Sequence, residues 1–215
     1  MRTVITLFVA VAAILAFALL KLSQADPLEA TSTVGHPTVK IMVGDGHGSG
    51  VYIGGNGLIL TAAHVVVNSP DGKIKVKTEG GNILSGQILW MSKERDVALV
   101  QVNGTFGLKA AALSCDTPQI GDAIQARGNP LSIEFFSAWG HVAGTMRQMG
   151  PWLEGVPTDL TILPGMSGGP IFRTDGRVIG IAVGAMLAPA GMAMSITGAT
   201  LIVPGSTICP LLGRT

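Results

Sequence analysis

Hydrophobic and polar positions along this chain alternate over short runs, not over helical turns. From Val39 onward, runs rich in Val and Ile are separated by turn signals such as "GGNG", "PDGK", "EGGN" and "TDGR". The pattern predicts strands at "VKIMVG", "GSGVYIG", "GLILTAA", "KIKVKTE", "NILSGQILWM" and "DVALVQV". A second set is predicted at "DAIQARG", "FFSAWGHVAG", "TDLTIL", "GPIFRT", "RVIGIAVGA" and "TLIVP". No amphipathic helical stretch of about 10–15 residues lies between successive strands, which argues against a parallel sheet built from crossover helices. Many short strands at regular spacing predict a sandwich or barrel, and the set divides near Thr105–Pro118 into two β-lobes.

One stretch breaks the pattern. Val4 to Leu20, "VITLFVAVAAILAFALL", has Thr6 as its single polar member and is flanked by Arg2 and Lys21. A helix of this length spans about 25 Å, slightly short of a bilayer core of about 30 Å. A cleaved signal peptide and an uncleaved anchor both fit a charged start and an apolar centre. "LSQA" before Asp26 offers small residues for a cut, but the anchor accounts better for the length and the flanking charges. The domain reading is therefore an N-terminal anchor or signal segment over residues 1–21, a linker over 22–38 and one β domain over 39–215. Its first lobe would span about 39–108 and its second about 118–204. Membrane contact is expected through residues 4–20, with the β domain outside the cytoplasm, periplasmic or extracellular, or secreted if the segment is cut.

Composition narrows the function. Charged residues are 13% of the chain and the formal net charge is +1, so the basic patch that nucleic acid requires is not expected. The two cysteines, Cys115 and Cys209, match no metal spacing, and whether they pair is open.

Three short words carry the chemistry. "LILTAAHVVVN" sets His64 in an apolar run, where a lone histidine ordinarily reads as a packed core residue. "LPGMSGGPIF" crowds glycine and proline around Ser167; such a turn exposes a nucleophile beside main-chain N–H groups that can hold an oxyanion. "KERDVALVQV" places Asp96 at the entry of a strand, by itself an ordinary turn residue. Together they supply a hydroxyl, a base to activate it and a carboxylate to orient the base. Chain order discriminates between the scaffolds that use this trio. The hydrolase elbow order needs a histidine after the serine, and all four histidines, His36, His47, His64 and His141, precede Ser167. "GHVAGT" echoes part of a subtilase word, but Ala138 stands where that word needs its histidine. The order here is His, Asp, Ser.

"TAAHVV", "RDVALV" and "GMSGGP" closely resemble the signature segments of trypsin-like serine peptidases, and most of all the bacterial-type HtrA/Deg-like branch. "GSGVYIGGNGLILTAAHVV", "GDAIQARGNP" and "TDLTILPGMSGGPIFRTDGRVIGI" extend the resemblance over about Val39 to Pro204. It implies an all-β fold of two packed antiparallel six-stranded β-barrels with the site in the cleft between them, preceded by the N-terminal hydrophobic helix. It implies a serine endopeptidase acting on protein or peptide substrates, with no cofactor and no metal. Ser167 would attack, His64 would carry the proton and Asp96 would orient His64. The N–H groups of Gly165 and Ser167 would form the oxyanion hole. By alignment the S1 pocket would have Thr161 at its base and Val183, Gly184 and Ala185 in its wall, which points to small or medium aliphatic P1 residues such as Ala, Val or Leu.

Departures from the family qualify this. Met166 replaces the aspartate that pairs with a new N-terminus in zymogens, so activation by a cut near His36–Val39 is not expected. The chain leaves no room for a PDZ domain after Pro204, and the trimer of some relatives is not carried over. An inactive binding module on the same fold, and a viral or phage processing protease, are the alternative readings. The trio and the glycine-rich oxyanion frame weigh against the first.

Overall fold

The computed structural model describes residues 36–214 except 56, 105, 106, 191 and 192; of residues 188, 190 and 193–196 it describes the backbone alone. The strands are β1 (Thr38–Val43), β2 (Gly46–Gly54), β3 (Leu58–Thr61), β4 (Lys73–Thr78), β5 (Ile83–Ser92), β6 (Val97–Val102), β7 (Ala123–Gly128), β8 (Phe136–His141), β9 (Arg147–Met149), β10 (Trp152–Thr158), β11 (Pro170–Arg173), β12 (Val178–Ala190) and β13 (Ala193–Pro204). Two short helices, α1 (Ala63–Val66) and α2 (Gly205–Leu211), follow β3 and β13.

Strands β1 to β6 form a closed antiparallel barrel in the order β1-β2-β3-β6-β5-β4. Closure comes from β1 pairing with β4, Val39 opposite Thr78 through Met42 opposite Lys75. In "KIKVKT" the pleat sends Ile74 and Val76 inward and leaves Lys73 and Lys75 outside. The inward residues meet Val39, Ile41, Ile59 and Val100 in one core.

The second half corrects the expectation of two closed six-stranded barrels. It is an open seven-stranded sheet, β8-β7-β11-β12-β13-β10-β9. Its ends approach where Val142 bridges Thr158, but no ladder forms there. Pro157 in β10 has no N–H to give a ladder, and its carbonyl alone bonds the N–H of Ala143, at 2.9 Å. The β9–β10 hairpin adds the strand that six-strand counting omits. Two strand assignments change with it. "WLEGVPT", absent from the predicted strands, is a strand, and "TDLTIL" leaves the sheet after Thr158 although Leu160 and Ile162 are buried.

Membrane anchoring is also corrected. No helix among the described residues is long and apolar enough to cross a membrane. The anchor or signal segment at residues 1–21, like the linker up to residue 35, lies outside the described residues. The membrane partner and the location drawn from it are therefore withdrawn.

Cys115 and Cys209 form a disulfide with Cα atoms 5.6 Å apart, tying the connection between the halves to α2. The cross-link closes a loop with a sequence separation of 94, and such loops stabilise by about 4–5 kcal/mol in the chain-entropy account.

His36 packs edge-on against Phe172 of β11, with ring centroids 5.6 Å apart, and its Nδ1 accepts the N–H of Thr38 at 3.2 Å. Burial, then the charge of Arg127, lowers its pKa from 6.5 to about 3. Between these values the unfolded chain binds a proton that the folded chain does not, so stability falls as pH falls, by up to about 1.4 kcal/mol per unit. From pH 7 to pH 4.5 the parent chain should lose about 2–3 kcal/mol more than His36→Gln in urea unfolding. Equal losses in the two proteins would contradict this.

Candidate active site

The histidine arrives on a buried strand. Ile59, Leu60 and Thr61 of β3 are fully buried, and Ala63 and Val66 anchor α1 in the core. His64 lies between those anchors and faces out, its side chain 44% exposed. Its Nδ1 lies 2.8 Å from Oδ2 and 3.0 Å from Oδ1 of Asp96, and its backbone N–H donates to Oδ1 at 2.9 Å. A carboxylate oxygen accepts, so Nδ1 is the donor, and in the neutral imidazole the lone pair then lies on Nε2.

Asp96 occupies the turn before β6 and is buried, with φ +54°. The left-handed region is one that aspartate tolerates better than most residues, and such strain persists where its surroundings hold it. A third donor reaches the carboxylate from the other half of the molecule: the indole Nε1–H of Trp152, 2.8 Å from Oδ2.

Ser167 sits in the turn before β11. Its carbonyl accepts the N–H of Ser49 in β2 at 2.8 Å, and the N–H of Gly168 donates to Ala182 in β12 at 2.7 Å. Gly168, φ +80°, presses against Thr61 Oγ1 and lies 2.7 Å, measured from where a Cβ would stand, from the Ala62 nitrogen. Gly48 is equally confined, between the Val65 side chain and the Ser167 carbonyl. These contacts seat the serine turn against the end of the strand that leads to His64. Met166 is fully buried among Ile162 and Ile171, so an apolar side chain anchors the turn from below.

The orientation of the peptides in this turn follows from their carbonyls. The Pro164 carbonyl accepts from Leu131 N–H at 2.9 Å, the Gly165 carbonyl from Ser49 Oγ at 2.8 Å and the Met166 carbonyl from Gly169 N–H at 2.9 Å. In a trans peptide the N–H points opposite to the C=O. The N–H groups of Gly165 and Ser167 are thereby turned away from those partners, and neither donates to an acceptor among the described residues. The N–H of Met166 between them is used, on Leu163.

Two residues outside the expected site hold this arrangement. Ser49 Oγ donates to Gly165 and accepts from Asn129 N–H at 2.9 Å and Asn129 Nδ2 at 3.1 Å, which uses its full capacity. Asn129 is fully buried; its Nδ2 also donates to Val39, its Oδ1 accepts from Phe135 N–H, and its carbonyl accepts from His47 Nε2 at 2.9 Å. The signals for these were present as the "GSG" and "GNP" words, which sequence reading used for likeness and not for hydrogen bonding.

The expected S1 residues are spread out. Thr161 is exposed, Val183 is buried with Val51, Leu60 and Val97, and Gly184 lies under the Trp152 ring. Ala185 lines an open cavity of about 300 Å³ with Met149, Trp152, Met186 and Leu201 among its walls. No group of three or more His, Cys, Asp or Glu side chains among the described residues could hold a metal ion.

Ser49→Ala would strand the half-buried Gly165 carbonyl and the buried Asn129 N–H, and would leave Asn129 Nδ2 only its bond to Val39. It should cost about 2–4 kcal/mol in urea unfolding. A loss under about 0.5 kcal/mol would show that the network relaxes without it.

Residues 48–181 match the family described as a trypsin-like peptidase domain. The chain is 34% identical over 158 residues to the mitochondrial serine protease HTRA2 of Drosophila virilis, over 70% of this chain and 37% of that protein. It is 33% identical over 183 residues to HhoA of Synechocystis sp., over 78% of this chain and 46% of that protein. It spans less than half the length of these relatives. The crystal structure of the serine endoprotease from Yersinia pestis shares the fold, with a TM-score of 0.69 and 24% identity over 85% of this chain and 66% of that one. The chain belongs to the trypsin-like peptidase domain family and is related to the HtrA/Deg serine proteases.

Proposed function

We propose that the chain is a serine endopeptidase that cleaves peptide bonds through an acyl-enzyme on Ser167. The observation that carries this reading is the bonded His64–Asp96 pair, with the glycine-rich serine turn held against the same strand end. Ser167 Oγ attacks the scissile carbonyl carbon while His64 Nε2 takes its proton. The N–H groups of Gly165 and Ser167 receive the oxyanion, each worth about 3 kcal/mol. His64 then gives the proton to the leaving amine. Water, deprotonated by the same nitrogen, releases the acyl group and restores Ser167. Asp96 orients the ring and stabilises the imidazolium.

P1 choice is proposed to favour Ala, Val or Leu, since Thr161 offers no carboxylate for Arg or Lys and Ala185 is bulkier than glycine. Protein or peptide is the substrate class.

Turnover of an unfolded protein by the full chain tests the reading. Ser167→Ala should abolish it and Asp96→Asn should lower kcat by about 10⁴-fold. Cleavage-site sequencing should show aliphatic residues at P1. Turnover that survives Ser167→Ala would overturn the mechanism, and cleavage confined to Arg or Lys would overturn the P1 assignment.

A further inference from the structure

We propose that Trp152 is a positioning residue for the reaction: its indole N–H fixes the Asp96 carboxylate, and its ring connects that carboxylate to the apolar cavity beyond Gly184. The inference rests on the peptidase reading above.

Three observations carry it. The first is the division of the carboxylate between donors. Oδ1 accepts the backbone N–H of His64 at 2.9 Å and lies 3.0 Å from its Nδ1, while Oδ2 accepts both His64 Nδ1 and Trp152 Nε1, each at 2.8 Å. The first bond alone leaves the carboxylate free to turn about its Cβ–Cγ axis. The imidazole contact moves with the ring it is meant to orient; the indole bond holds the second oxygen from a group outside His64 and so fixes the carboxylate plane against which the imidazole lies. An indole N–H can only donate, so the bond does not compete with His64 for a proton.

The second is that β10 grips the Asp96 turn at two points. Trp152 and Glu154 are two apart and share a face of the strand. Glu154 forms an ion pair with Arg95, the residue before Asp96, and accepts the Thr207 hydroxyl at 2.7 Å. The Thr207 hydrogen bond, then that of Arg95, holds the Glu154 carboxyl below its ordinary value. A turn carrying a left-handed aspartate is thus tied to the opposite half through two adjacent charged residues, Arg95 and Asp96.

The third is the space made for the ring. A Cβ on Gly184 would stand 2.5 Å from Trp152 Cη2 and 3.0 Å from Cζ2, so only glycine there lets the indole lie where its N–H reaches Asp96. Met149, Ala185, Met186 and Leu201 share the cavity of about 300 Å³ that the ring walls. An apolar substrate side chain seated there would press on the group that holds Asp96.

Peptide kinetics with the full chain separate this role from simple packing. Trp152→Phe keeps a ring and removes the N–H. It should lower kcat by about 10- to 100-fold with KM within about twofold of the parent. Trp152→Ala should lower kcat as far and raise KM as well. In the parent, the Trp152 indole proton should exchange with solvent far more slowly than that of Trp139, whose side chain is largely exposed. Assignment by Trp139→Phe and Trp90→Phe makes this readable even if the Trp152 variants fail to fold. An inactive parent would overturn the peptidase reading and this inference with it. An active parent with a fully active Phe variant, or with an indole proton that exchanges as freely as that of Trp139, would overturn the positioning role alone.

Discussion

The hydroxyl of Ser49 joins the closed barrel to the serine turn. It donates to the Gly165 carbonyl and accepts from both nitrogens of Asn129, while the main chain of Ser49 bonds Ser167 and Thr61. A buried hydroxyl with all its capacity spent has one orientation, and that orientation fixes the peptide after Gly165. That peptide lies between the two whose N–H groups, of Gly165 and Ser167, stay unpaired among the described residues because Leu131 and Gly169 hold the Pro164 and Met166 carbonyls. The turn that carries the proposed oxyanion site is thus tied to the closed barrel through one hydroxyl.

That contact requires very close approach. Gly48 and Gly168 stand where a side chain would strike Val65, Thr61 or the main chain. The approach brings the serine turn to the end of β3, and on the other flank β10 reaches the Asp96 turn through Trp152 and Glu154. His64 lies between these two junctions. Its bonded carboxylate comes from one turn of the barrel and takes a further donor, the Trp152 indole, from a strand of the opposite sheet. The apolar anchor of the serine turn, Met166, explains how the turn keeps its shape without an ion pair beneath it.

Much of this was legible in the sequence. Strand alternation such as "KIKVKT" is written directly in the pleat, and the words around His64, Asp96 and Ser167 kept their order. Three things were not. Closure of a sheet depends on whether two distant segments can exchange bonds: on one side of the Val142–Thr158 bridge Pro157 lacks an N–H, and on the other the Asp159 carboxylate takes the His141 N–H. "TDLTIL" alternates like a strand because Leu160 and Ile162 are buried, yet burial does not supply a neighbouring strand. Trp152 carries no local signal of its role; its indole bond to Asp96 spans 56 positions, a distance no local pattern encodes. The pairing of Cys115 with Cys209 is long-range in the same way.

The central claim is that Ser167 is activated by the groups gathered around it. Exposure of the full chain to a fluorophosphonate probe, followed by mass mapping of the labelled peptide, tests it most directly. The account predicts one adduct per chain, on Ser167, absent in Ser167→Ala and strongly slowed in Asp96→Asn. A folded chain that takes no label, or takes it at another residue, would contradict the account.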